Sequence, residues 1–155
     1  MNSYQILFTL GIIFFLFGCN PNTDSDPSQN GQIDGVNFTN ISTEASIDQS
    51  VSNSAKQSLS QHKEITNIYA VNTEGDLVIA IEVHHNERFK LAKIRKNLHK
   101  KMEKVFRDHK VQLSTDQKIV IETKRLEKQI QNRDISKKKL EKEVKHLIKL
   151  MNEQT

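Results

Sequence analysis

The 155 residues hold one cysteine, 23 Lys and Arg against 19 Asp and Glu, and have a mean hydropathy of −0.61. One cysteine excludes a disulfide framework and a thiolate zinc site, and the length allows one small domain with a leader and a tether. Charge is divided along the chain: residues 19–54 carry five acids and no base, a balance of −5, and the remainder stands at +9.

Residues 6–17 are apolar apart from Thr9 and Gly11, a run of 12. That length fits the roughly 7 to 15 residues of a signal-peptide core and falls short of the roughly 20 that span a bilayer. The run closes on Leu16-Phe17-Gly18-Cys19. Leu three positions before a cysteine and a small residue next to it suit a peptidase cleft, and the Cys19 thiolate is the nucleophile that takes the lipid. Residues 1–18 are therefore expected to be a lipoprotein signal peptide, with a diacylglyceryl group on Cys19, two acyl chains of the palmitate type, as the membrane anchor. Phe17 is bulkier than the usual residue, and residues 1–5 contain no Lys or Arg, so efficient cleavage stays open. The competing reading is an uncleaved apolar anchor around an unmodified, buried cysteine.

Residues 19–46 are rich in Asn, Ser, Asp, Thr, Gly and Pro and are expected to be an acidic, disordered tether. A coil of the 27 residues after Cys19 would reach about 30 Å, enough to lift a domain off the headgroups. With four of the seven Phe in the leader, the remaining core aromatics are Phe38, Phe89, Phe106 and Tyr69, so the expected core is aliphatic and thin.

Residues 47–62 place Ile47, Val51, Ala55 and Leu59 four apart, a narrow helical stripe with Ser46 ahead of it as a cap. Residues 65–71 and 77–84 are β-branched runs joined by Asn72-Thr73-Glu74-Gly75-Asp76, a hairpin. Residues 86–108 form an amphipathic helix with Leu91, Ile94, Leu98, Met102 and Val105 on one stripe, expected to lie across one face of the sheet. Residues 110–114 read as a short strand, and Ser114-Thr115-Asp116 supplies capping groups for a helix bearing Ile119, Thr123, Leu126 and Ile130. Lys118 to Thr123 reads equally as a strand, because periodicity over so few residues does not decide. The pattern slips at residues 132–136 and resumes with Leu140, Val144, Leu147, Ile148 and Met151, which predicts a kinked or two-part C-terminal helix. The fold class is thus α+β: a three-stranded sheet in the order helix-strand-strand-helix-strand-helix, with a domain over residues 47–131 and a C-terminal amphipathic helix over 132–155.

This order, behind such a leader and a polar tether, resembles the YhcN/YlaJ family of sporulation lipoproteins. Ile68-Tyr69-Ala70-Val71-Asn72, Leu77-Val78-Ile79-Ala80, the Phe89 to Lys104 helix and Val111-Gln112-Leu113-Ser114-Thr115-Asp116 look like its YlaJ-type branch. The resemblance implies a protein made in sporulation, attached to a cell or spore membrane outside the cytoplasm and connected with germination. It brings no catalytic residue; only the acylated cysteine carries over, onto Cys19.

No residue pattern argues for an enzyme, a cofactor or a metal. His84 and His85 beside Glu87 would point to opposite faces of a strand, and no HExxH spacing, GxSxG elbow or glycine-rich phosphate loop occurs. The candidate contacts are basic: Lys100 and Lys101, and Lys137, Lys138 and Lys139, suited to anionic lipid or wall polymer. The bland alternative is solvated helix surface supported by the i,i+4 pairs Glu103–Arg107 and Glu141–Lys145. Nucleic acid is not expected, because the stacking aromatics are missing. A protein partner or a second copy could use the C-terminal stripe or a free strand edge.

Overall fold

The computed structural model describes residues 30–33, 35–42, 45 and 47–153. Its first elements are two short antiparallel strands, β1 (Asn30–Ile33) and β2 (Val36–Thr39), with Ile33 opposite Val36. The turn between them needs Gly35, whose φ of +87° lies in the left-handed region that side chains disfavour. Along β2, Val36 and Phe38 are buried while Asn37 and Thr39 face solvent, the period of two of a half-buried strand.

These strands correct the expected three-stranded sheet and its element order, since they precede the first helix and lie in the segment read as tether. Among the described residues the sheet has five strands in the order β1-β2-β3-β4-β5, with β3 Ile65–Asn72, β4 Asp76–Val83 and β5 Lys110–Ser114. The β3–β4 hairpin forms as its β-branched runs predict, antiparallel with Ala70 opposite Ile79. β2 lies parallel to β3 and β5 parallel to β4. Parallel neighbours require crossovers. One is α1 (Ser50–Leu59); the other is a 3-10 helix (His85–Lys90) running into α2 (Leu91–Val105).

Both crossovers cover one face. Ala55 and Leu59 of α1 and Ile94, Leu98 and Met102 of α2 pack with Ile68, Ala70, Leu77, Ile79 and Ile81. Val71, Val78 and Ala80 project to the other face, under α3 (Gln117–Gln131) and α4 (Lys137–Glu153). β4 is therefore covered on both sides, which is why Leu77 to Ile81 is an unbroken apolar run. A register shift between Ile65 and Asn67 lets Ile65 and Ile68, an odd number apart, both face the first layer.

The segment 118–123 is helical. Asp116 caps α3, its Oδ1 accepting from the backbone N–H of Lys118 and Ile119 at 2.9 and 3.2 Å. Ile119 and Val120 are buried whereas Ile121 is exposed, and burial returns at Thr123, Leu126 and Ile130 with helical spacing. The expected two-part C-terminus is α3 and α4. Their break is a Schellman turn: Arg133, at φ +62°, donates its N–H to the Ile130 carbonyl, and Asp134 donates to that of Gln129. Ser46, expected to cap α1, lies outside the described residues. Asn72 serves that end, its Oδ1 accepting from Ser52 N–H at 3.0 Å.

Candidate functional site

The 3-10 helix begins where β4 ends, and it buries none of its residues. Phe89 is 97 % exposed, which corrects its expected place in the core; Phe38 is buried, and Phe106 and Tyr69 are half-buried. Val105 is also outside the stripe assigned to it, at 55 % exposed, because α2 packs through Ile94, Leu98 and Met102 alone. The 3-10 helix and α2 together hold eight Lys and Arg against Glu87 and Glu103. Among the described residues, Arg88, Lys93, Arg95, Lys96, Lys100 and Lys104 make no ion pair with a carboxylate; Lys90 meets Glu87 at 3.0 Å. Lys93, Lys96 and Lys100 recur at spacings of three and four and form one exposed ridge behind Phe89.

Beside this ridge is a cleft of about 720 Å³, where the α1–β3 turn and the end of β4 face α2; His62, Glu64, His84, Lys90, Lys93 and Lys101 line it. His62 bridges two charges. Its Nδ1 is 3.3 Å from Glu64 Oε1 and its Nε2 is 2.9 Å from Lys101 Nζ. An ammonium only donates, so Nε2 accepts and the ring hydrogen sits on Nδ1, toward the carboxylate. His84 fixes the rim by donating its backbone N–H to the Glu64 carbonyl at 3.0 Å. The arrangement offers ammonium donors to an anion. Among the described residues no group of His, Cys, Asp and Glu is placed to hold a metal ion, and no helix is long and apolar enough to cross a membrane.

The two lysine groups singled out from sequence do not form one surface. Lys100 and Lys101 lie exposed on α2, Lys101 at the cleft; Lys137, Lys138 and Lys139 open α4, on the other face of the sheet. Lys137 is already engaged by Glu74 of the β-hairpin turn, and the pair holds the Glu74 carboxyl below its ordinary range. The proposed i,i+4 supports do not close. Glu103 lies 3.8 Å from His99 while Arg107 donates to the Lys104 carbonyl, and Glu141 and Lys145 form no ion pair with each other. Cys19, with Leu16, Phe17 and Gly18, lies outside the described residues.

A second polar constellation went unseen in the sequence. Lys56 of α1 and Glu127 of α3 come from helices on opposite faces and meet at 2.8 Å where β2 and β3 diverge. β2 and β3 share a single bridge, Asn37 to Asn67. Past it, Lys56 Nζ donates to the Thr39 carbonyl at 2.5 Å and Glu127 Oε1 accepts from Ala70 N–H at 2.9 Å, so the ion pair stands in for missing ladder bonds. Burial raises the Glu127 carboxyl; the Lys56 ammonium and the Ala70 N–H oppose that shift. Lys56 has no exposed side-chain surface, so removing either partner strands a buried charge or donor. The signal was half present: Thr123, Glu127 and Ile130 keep buried helical spacing, but nothing local names a partner 71 positions away.

No curated protein and no solved structure matches the chain. A family model described as Sporulation lipoprotein YhcN/YlaJ matches residues 18–151, from the glycine before Cys19 to the last turns of α4. The chain therefore belongs to the YhcN/YlaJ family of sporulation lipoproteins.

Proposed function

We propose that this protein, of the family's YlaJ-type branch, is a non-enzymatic, lipid-anchored component of the spore envelope with a structural or accessory role in sporulation or germination. The observation behind this reading is Cys19 itself: an apolar run of signal-peptide length ends on Leu16-Phe17-Gly18-Cys19, in a chain whose family match starts at residue 18. Residues 1–18 are then removed, and the acylated Cys19 moors the domain outside the cytoplasm. The test is metabolic labelling with a clickable fatty acid. Label is expected on the native chain and absent from Cys19→Ala; equal labelling of both would overturn the reading.

A second reading, a basic module for an anionic partner, is favoured by the ridge of Lys93, Lys96 and Lys100 with no carboxylate bound to it among the described residues. Lipid, wall polymer and protein all remain candidate partners for it, as does self-association through the exposed edge of β5.

A further inference from the structure

We infer that the face carrying Phe89, Lys93, Lys96 and Lys100 docks on the anionic surface of the bilayer that holds the protein, with the Phe89 ring as its apolar tip. The inference rests on the anchoring of Cys19 proposed above and adds a second, noncovalent contact.

Three observations converge on it. First, β1 begins at Asn30, so only ten residues separate it from Cys19. Fully extended, ten residues span at most about 36 Å, so a domain tied to Cys19 stays in the neighbourhood of the headgroups. A domain held that near meets the headgroups repeatedly, and its most cationic face is the one an anionic surface attracts. Second, the 3-10 helix and α2 carry eight cations against two acids, whereas α4, the other long surface helix, carries six against three. Third, Phe89 is 97 % exposed and buries nothing in its own domain, while the cations around it meet no carboxylate among the described residues apart from Lys90. An aromatic tip inside a cationic collar matches the bilayer boundary, where a ring enters the acyl margin and ammonium groups stay with phosphates. The cleft beside the ridge offers Lys93 to a headgroup phosphate, flanked by Lys90 and Lys101, which hold Glu87 and His62.

The chain has no tryptophan, so Phe89→Trp gives a single emitter at the tip. The acylated full-length protein would be reconstituted on vesicles of phosphatidylcholine alone, or of phosphatidylcholine and phosphatidylglycerol at two to one, with brominated acyl chains as quencher. Flotation with the vesicles reports the anchor; indole emission reports the tip. On the anionic vesicles the emission of the Phe89→Trp protein is expected to shift to the blue and be quenched, and on neutral vesicles or in high salt to resemble that in water. Ile121→Trp, on α3 of the other layer, is expected to stay solvent-like throughout. Replacing Lys93, Lys96 and Lys100 together by Gln removes three cations worth about fivefold each, so the ratio of docked to free tip should fall roughly a hundredfold while flotation is unchanged.

Failure to float would count against the anchor. Flotation with the tip indole left in water on anionic vesicles would overturn the docking, as would equal quenching on neutral vesicles. A blue shift produced by soluble polyglycerol phosphate but not by anionic lipid would assign the face to a wall polymer and overturn the lipid contact.

Discussion

The two helical layers are both studded with lysine, yet they present different surfaces. On the α3–α4 side, part of the positive charge is drawn into the protein's own contacts, since Arg125 bridges Glu122 and Glu143, Lys137 holds Glu74, Lys149 lies 3.8 Å from Glu153 and Lys124 stands 5.5 Å over the Tyr69 ring, while Lys118, Lys128, Lys138, Lys139, Lys142 and Lys145 meet no carboxylate among the described residues. On the α2 side the ridge of Lys93, Lys96 and Lys100 meets no carboxylate among the described residues and is headed by a bare phenylalanine. Net charge alone does not distinguish these cases. What matters is whether the acid that would neutralise each lysine lies within reach after folding, and that depends on which helices become neighbours.

The seam joining the layers should give the largest response. Glu127→Ala leaves the Lys56 ammonium buried without its carboxylate and should cost about 3 to 5 kcal/mol in denaturant unfolding. Adding Lys56→Met should recover much of that loss, though not all, because the hydrogen bonds that Lys56 gives to the Thr39 carbonyl and Glu127 takes from Ala70 N–H are not restored. If Glu127→Ala costs under about 1 kcal/mol, the pair does not bind the two layers together.

The same carboxyl sets a pH dependence. Its folded value is raised above the ordinary 4.5, so between the two values the folded chain binds more protons than the unfolded chain, and stability falls as pH rises through that window. Glu127→Gln should flatten this segment of the stability curve; an unchanged slope would assign the titration to another group.

Smaller effects probe one layer alone. Asp116→Ala removes the cap of α3 and should cost about 1 kcal/mol, read from the urea midpoint. Arg133→Gly relieves the left-handed backbone between α3 and α4 and should stabilise by about 0.5 to 1 kcal/mol.

The smallest expected effects address the contrast between the two surfaces. Arg125→Ala should cost up to about 1 kcal/mol, since two carboxylates lose their partner. Changing Lys93, Lys96 and Lys100 to Gln should leave stability within about 0.5 kcal/mol. Equal losses in the two experiments would erase the distinction between self-neutralised and available charge.

Much of the fold was legible because it is local. The β3–β4 hairpin followed from two β-branched runs around a Gly-containing turn, and α2, α3 and α4 followed from apolar residues three and four apart. For residues 118–123, apolar residues in series suited strand and helix alike; the Asp116 cap and the exposed Ile121 belong to the helix. The Asp34-Gly35 dipeptide was a readable hairpin signal, masked by the polar composition around it. Phe89 was misplaced because aromatic character was equated with burial, whereas its segment turns into a 3-10 helix that contacts no core. The candidate site was legible in its cations but not in their arrangement. Lys101 lines the cleft, while Lys137, Lys138 and Lys139 fall on the opposite layer.

By itself the sequence determined the β3–β4 hairpin and most of the helical stripes that bury, since each depends on residues within a few positions of one another. Only the tertiary structure decided that residues 36–42 belong to the domain, that Lys56 meets Glu127 through the gap beside β3, and that Phe89 stands outside. Those outcomes depend on which distant segments share a boundary, and the cost of a buried charge or the exposure of a ring exists only once that boundary is built.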